Sequence, residues 1–196
     1  MKNKKALTGC VFSILALFSF SFLLIAQTSP EDFLGHRVGA DRKLADYSQI
    51  QAYFQKLDQE SEKISVLTIG KSTLKKPMIM AVITSEENMA KIDTYREITR
   101  RLRDARELTP EDAVKLAEEG KLILLITCNI HATEIASAQM SMELAYKLVT
   151  GDTPFDADKI LKDVIVLLVP TTNPEVSRHQ VRRWADALAL PPLCRS

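Results

Sequence analysis

The chain has 196 residues, of which 46% are hydrophobic, 26% charged and 6% aromatic. That composition is globular and excludes disorder, collagen and low complexity. With 26 basic and 25 acidic residues the formal charge is +1, so there is no polybasic footprint for nucleic acid.

Residues 1–26 carry Lys2, Lys4 and Lys5, no acid, and an apolar run over 11–26. A basic start before an apolar stretch is the pattern of a secretory signal, so the protein is expected to be exported, to the periplasm or outside the cell. The run is short for a bilayer span, which takes about 20 residues. A retained N-terminal membrane anchor is the alternative, because Leu24-Ile25-Ala26 is a poor cleavage site. Leu7-Thr8-Gly9-Cys10 has the form of a lipoprotein box, but it precedes the apolar run instead of ending it. Cleavage near Ala26 removes three lysines and turns the formal charge from +1 to −2. The exported part keeps Cys128 and Cys194, too few for a disulfide scaffold. Cys128 reads as a buried thiol.

Ser29-Pro30-Glu31-Asp32 predicts a helix start, with Ser as cap and Pro in the first turn. Tyr47, Ile50, Tyr53, Phe54 and Leu57 fall at helical spacing and predict an amphipathic helix over 46–60. Ile64, Val66, Leu67 and Ile69 form a strand ending at Gly70, and 78–84 (MIMAVIT) a second one. The Lys75-Lys76-Pro77 turn between them suits an antiparallel hairpin. Residues 87–106 are expected to be helical, with Arg96, Arg100, Arg101, Arg103 and Arg106 among acids. Interleaving with Glu97, Asp104 and Glu107 favours a solvated face over an anion-binding one. Thr109-Pro110-Glu111-Asp112 starts another helix.

The run 122–127 (LILLIT) predicts a strand buried on both faces. A helix follows over 134–149, a short one over 157–162, and a second buried strand over 164–169 (VIVLLV). Buried strands alternating with helices imply an α/β sheet with helices on its faces.

The chemistry centres on His131-Ala132-Thr133-Glu134, between a strand and a helix. Open α/β sheets bind ligands at the carboxyl ends of their strands. Three residues across such a turn let an imidazole nitrogen and a carboxylate converge, and both suit Zn²⁺. A catalytic zinc takes three protein ligands and an open position, so the pair supplies two. The plain alternative is a histidine at a helix start and a first-turn acid favoured by the helix dipole.

The stretch 122–149, LILLITCNIHATEIASAQMSMELAYKLV, resembles the metal-site segment of zinc carboxypeptidases of the carboxypeptidase A type. Further matches follow in order: 30–35 (PEDFLG) with 39–44 (GADRKL), 69–73 (IGKST), the helix over 87–106, and 164–174 (VIVLLVPTTNP). These resemble a large exported bacterial branch of that family, over about residues 29–174. The resemblance implies a three-layer α/β/α sandwich with a mixed sheet. It also implies a zinc hydrolase of C-terminal peptide bonds or related amides, with His131 and Glu134 as metal ligands. Asn173 and Pro174 would open a structural turn beside the site. A downstream Glu would be the general base and an Arg would hold the substrate carboxylate; neither is identified in this chain.

After Asn173-Pro174 the family pattern expects Asp-Gly, but the chain reads Glu175-Val176. Residues 175–196 hold four arginines and no lysine or isoleucine. This reading expects an incomplete and inactive catalytic domain, with a tail altered by a frameshift or premature stop. An exposed sheet edge and uncovered apolar surface should result. His36 and His179 are the remaining histidines, and both are poorly placed as a third ligand. Arg182 or Arg183 beside Trp184 could form a substrate clamp, but a solvated basic tail fits better. Two rival functions stand beside the peptidase: a non-catalytic exported binding module with a vestigial metal site, and a zinc amidase or deacylase. The expected partner is a peptide or amide substrate, with no nucleic acid, and a membrane only if the leader is retained.

Overall fold

A computed structural model of the chain describes residues 26–175, apart from Ala105, Glu107 and Ala132. The expected signal segment up to Ile25 and the divergent residues from Val176 lie outside the described residues.

Helix α1 (Pro30–Leu34) opens where the Ser29 side chain accepts the Asp32 N–H, and it ends at Gly35 in the left-handed region. Helix α2 (Tyr47–Glu60) opens on a capping box between Asp46 and Gln49, which satisfies two otherwise orphaned N–H groups. Its inner face is the one the periodicity predicts: Ile50, Tyr53, Phe54 and Leu57 are fully buried. Each contributes about 1.5–3 kcal/mol of apolar burial. Strands β1 (Ile64–Lys71) and β2 (Pro77–Ile83) form the predicted antiparallel hairpin. Tyr47 staples α2 to its base: the hydroxyl donates to the Pro77 carbonyl at 2.6 Å.

The arginine-rich segment is two helices, not one: α3 (Glu86–Ala90) and α4 (Ile92–Arg103), broken at Lys91 with φ −112° and ψ 15°. Asn88 on α3 turns inward. Its amide donates to the Leu161 and Lys162 carbonyls at 2.9 and 3.0 Å, which fixes α3 while α4 starts on a new axis. The arginine face is solvated, as the interleaved charges predict. Arg96 pairs with Asp93, Arg100 with Glu97 and Arg106 with Asp104.

Helix α5 (Pro110–Glu119) leads to β3 (Leu122–Thr127); α6 (Ile135–Thr150) and α7 (Ala157–Asp163) then return the chain to β4 (Val164–Val169). The sheet order is β1-β2-β4-β3. The β2–β4 pair is antiparallel and the β3–β4 pair parallel, so the sheet is mixed. One face packs on α2, α6 and α7 through Phe54, Met142, Ala145 and Leu161, with Ile83 and Leu168 from the strands. The other packs on α4 and α5 through Tyr95, Ile98 and Leu116. The result is a three-layer α/β/α sandwich.

One strand departs from expectation. Strand β4 is buried as predicted, but β3 is an edge strand, with Leu122, Leu124 and Leu125 exposed by 67, 46 and 59%. Among the described residues β3 pairs only with β4. Its apolar side chains therefore lack the second neighbouring strand and the covering layer that a doubly buried strand has.

Candidate metal centre

The parallel strands β3 and β4 end on the same side of the sheet, and the loop 128–134 leaves from there. Its first residues prolong the pairing. Cys128 N–H donates to the Val169 carbonyl, and Thr172 N–H donates to the Cys128 carbonyl, both at 3.0 Å. Cys128 is the buried thiol the sequence predicts, and burial pushes its pKa up. Asn129, 3% exposed, then takes φ 51°. Asparagine tolerates this left-handed conformation better than most residues.

Past that turn, the backbone and the Glu134 carboxylate close on each other. Glu134 Oε2 accepts the N–H groups of Ile130 and His131 at 2.9 and 3.1 Å. Its Oε1 lies 2.8 Å from His131 Nδ1. The hydrogen bond with the His131 ring, and then those from the backbone, hold the Glu134 carboxyl below the usual carboxylate range. Glu134 is therefore ionised at neutral pH. The His131 side chain is 72% exposed and that of Glu134 41%. So open a hydrogen-bonded pair adds little to stability, while it leaves the two donors accessible from solvent.

The donor chemistry fits zinc at two positions. An imidazole nitrogen and a carboxylate oxygen face one another, and both are zinc ligand types. The second carboxylate oxygen is already held by backbone N–H groups, which fixes the orientation of the first. Among the described residues no third His, Cys, Asp or Glu joins the pair. His36 is half-buried just past the end of α1, with Nδ1 against the Arg37 carbonyl at 3.2 Å. His179, Arg182, Arg183 and Trp184 lie outside the described residues.

Asn173 sits beside the loop, with its amide donating to the Ile130 carbonyl at 3.3 Å. Glu175, where the family pattern has Asp, is tied to the hairpin turn: its Oε1 accepts the Leu74 N–H at 3.1 Å. Lys76 Nζ donates to the Pro174 carbonyl at 3.3 Å. Sequence reasoning missed Ser137 and Thr171. Ser137 Oγ accepts the Asn129 N–H and donates to the Glu134 carbonyl, both at 3.0 Å. Thr171, 1% exposed, donates to the Asn129 carbonyl at 3.0 Å. The sequence signal for Thr171 was a hydroxyl residue one proline beyond a buried strand.

The mixed α/β/α sandwich thus places a His and a Glu beyond the carboxyl end of β3, where open α/β sheets bind ligands. The chain belongs to the zinc carboxypeptidase family, whose model matches residues 50–186. Its fold is similar to that of thrombin activatable fibrinolysis inhibitor, with a TM-score of 0.51 and 14% identity, over 82% of this chain and 33% of that one. Carboxypeptidase A from Helicoverpa armigera matches with a TM-score of 0.48 and 16% identity, over 86% of this chain and 33% of that one. A metallo-carboxypeptidase from Burkholderia cenocepacia matches at 0.42 and 21% identity, over 66% and 27%. The chain thus spans about a third or less of the length of these structures. No curated protein matches it.

Proposed function

We propose that this chain carries two zinc donors, His131 and Glu134, of an exported zinc carboxypeptidase acting on C-terminal peptide bonds or related amides. The observation behind this is the convergence of His131 Nδ1 and Glu134 Oε1 at the carboxyl end of the parallel strand pair, inside the region that matches the family. A metal ion at Nδ1 would displace the proton that this nitrogen donates to Glu134 Oε1 in the metal-free pair. Glu134 stays ionised through the N–H groups of Ile130 and His131, and keeps Oε1 turned to the ring. Zinc at such a site polarises a scissile carbonyl and lowers the pKa of bound water. Two protein donors hold zinc less firmly than the three of a catalytic site, and among the described residues no third joins them, so the 196-residue chain alone should hydrolyse peptides negligibly. Residues 1–26 serve as the export signal in this reading.

Zinc titration of the purified chain tests the assignment. One equivalent should bind, and His131→Ala should weaken it by more than about a hundredfold, beyond the loss typical of an outer-shell partner. Unchanged binding in that variant would remove His131 from the site. Zinc-dependent release of C-terminal residues by the wild-type chain would refute the predicted inactivity.

A further inference from the structure

We infer that Thr171, seconded by Asn173, is a positioning residue for the His131–Glu134 pair. The inference rests on the reading of that pair as metal donors. It starts from Asn129, a buried non-glycine residue at φ 51°. A left-handed conformation at a residue with a side chain persists only where the surroundings hold it. Two of its hydrogen bonds hold the Asn129 backbone from opposite sides. Its N–H donates to Ser137 Oγ in the first turn of α6, and its carbonyl accepts the Thr171 hydroxyl beyond β4. The Thr171 oxygen in turn accepts the Asn173 N–H at 3.2 Å, and the Asn173 amide takes the next carbonyl, that of Ile130. The segment after β4 thus clamps two successive carbonyls just before His131. The same turn aims the Ile130 and His131 N–H groups at Glu134 Oε2. Without the Thr171 hydroxyl, the buried Asn129 carbonyl loses this hydrogen bond, and the Asn129 peptide is released to rotate. That rotation carries the Ile130 N–H away from the Glu134 carboxylate. The Asn173 turn, which loses its bond to the same hydroxyl, slackens its hold on the Ile130 carbonyl, so the His131 N–H follows and both donors loosen together.

The test compares amide hydrogen exchange and zinc affinity in the full chain and its variants. In the wild-type chain the Ile130 and His131 amides should be protected without added zinc; free exchange there overturns the inference. Thr171→Val keeps the shape and removes the hydroxyl. Exchange at both amides should rise about tenfold or more, and zinc affinity should fall roughly ten- to a hundredfold, the range for an outer-shell partner. Thr171→Ser should keep both properties. Thr84→Val is the control for lost stability alone: Thr84 is a buried hydroxyl at the opposite end of the sheet, donating to the Leu161 and Val164 carbonyls. It should lower the melting temperature and leave zinc affinity unchanged. If Thr171→Val does not fold, Asn173→Ala removes the second half of the clamp at a half-buried position and should speed exchange at the same amides. Unchanged exchange and affinity in a folded Thr171→Val, or unchanged exchange in Asn173→Ala, overturns the inference. Failure of the wild-type chain to bind zinc defeats the metal reading instead, and the exchange data still decide the clamp.

Discussion

Glu60 shows how much a single carboxylate can organise. It closes α2 and fastens the segment before α1: one oxygen accepts Thr28 N–H and the other Thr28 Oγ–H, both at 2.8 Å, and Lys56 Nζ reaches it at 2.7 Å. Burial alone would raise its pKa, but the hydrogen bonds from Lys56 and Thr28 outweigh burial and hold it below the ordinary range. A lowered native pKa gives stability that is fully present above the unfolded value of about 4.3. That stability is lost as pH falls through the native value. Glu60→Gln should therefore cost about 1 kcal/mol at neutral pH and flatten the fall of melting temperature below about pH 4.3. A variant whose acid profile matches the wild type would show that Glu60 does not act this way. At this scale the placement of His131 and Glu134 was legible, between a strand and a helix. Thr171 was not: its partner Asn129 is 42 residues away in sequence, and no local pattern records a contact of that span.

Elements were legible wherever periodicity decides them. The stripe of Ile50, Tyr53, Phe54 and Leu57 gave α2, and the Lys75-Lys76-Pro77 turn gave the hairpin. The split between α3 and α4 was not legible, since one residue at Lys91 changes direction without changing the apolar spacing. The surroundings of β3 were not legible from its own run, although an exposed sheet edge with uncovered apolar surface was expected of the fold. A run such as LILLIT announces a strand, but it does not say how many neighbours the strand has. An apolar edge strand invites pairing between chains. Leu122→Lys with Leu125→Lys should lower association in light scattering across a concentration series. The melting temperature should hold, because both side chains are more than half exposed and such surface changes stay within about 0.5 kcal/mol. A large drop in melting temperature would mean that these leucines are packed in solution.

For the whole molecule, the ordered motifs pointed to the three-layer sandwich and to the family, and both hold. The mixed sheet places its parallel pair, β3 and β4, so that the loops after both strands meet at one end. Metal chemistry can assemble there from residues remote in sequence. The family match shows descent and fold, whereas activity depends on a third donor that does not join the pair among the described residues. The central claim is that His131 and Glu134 hold the metal. X-ray absorption at the zinc edge of the zinc-loaded chain tests it most directly. The predicted spectrum has nitrogen and oxygen scatterers with an imidazole signature, which disappears in His131→Ala. Sulfur ligation, or an imidazole signature that survives His131→Ala, would contradict the account.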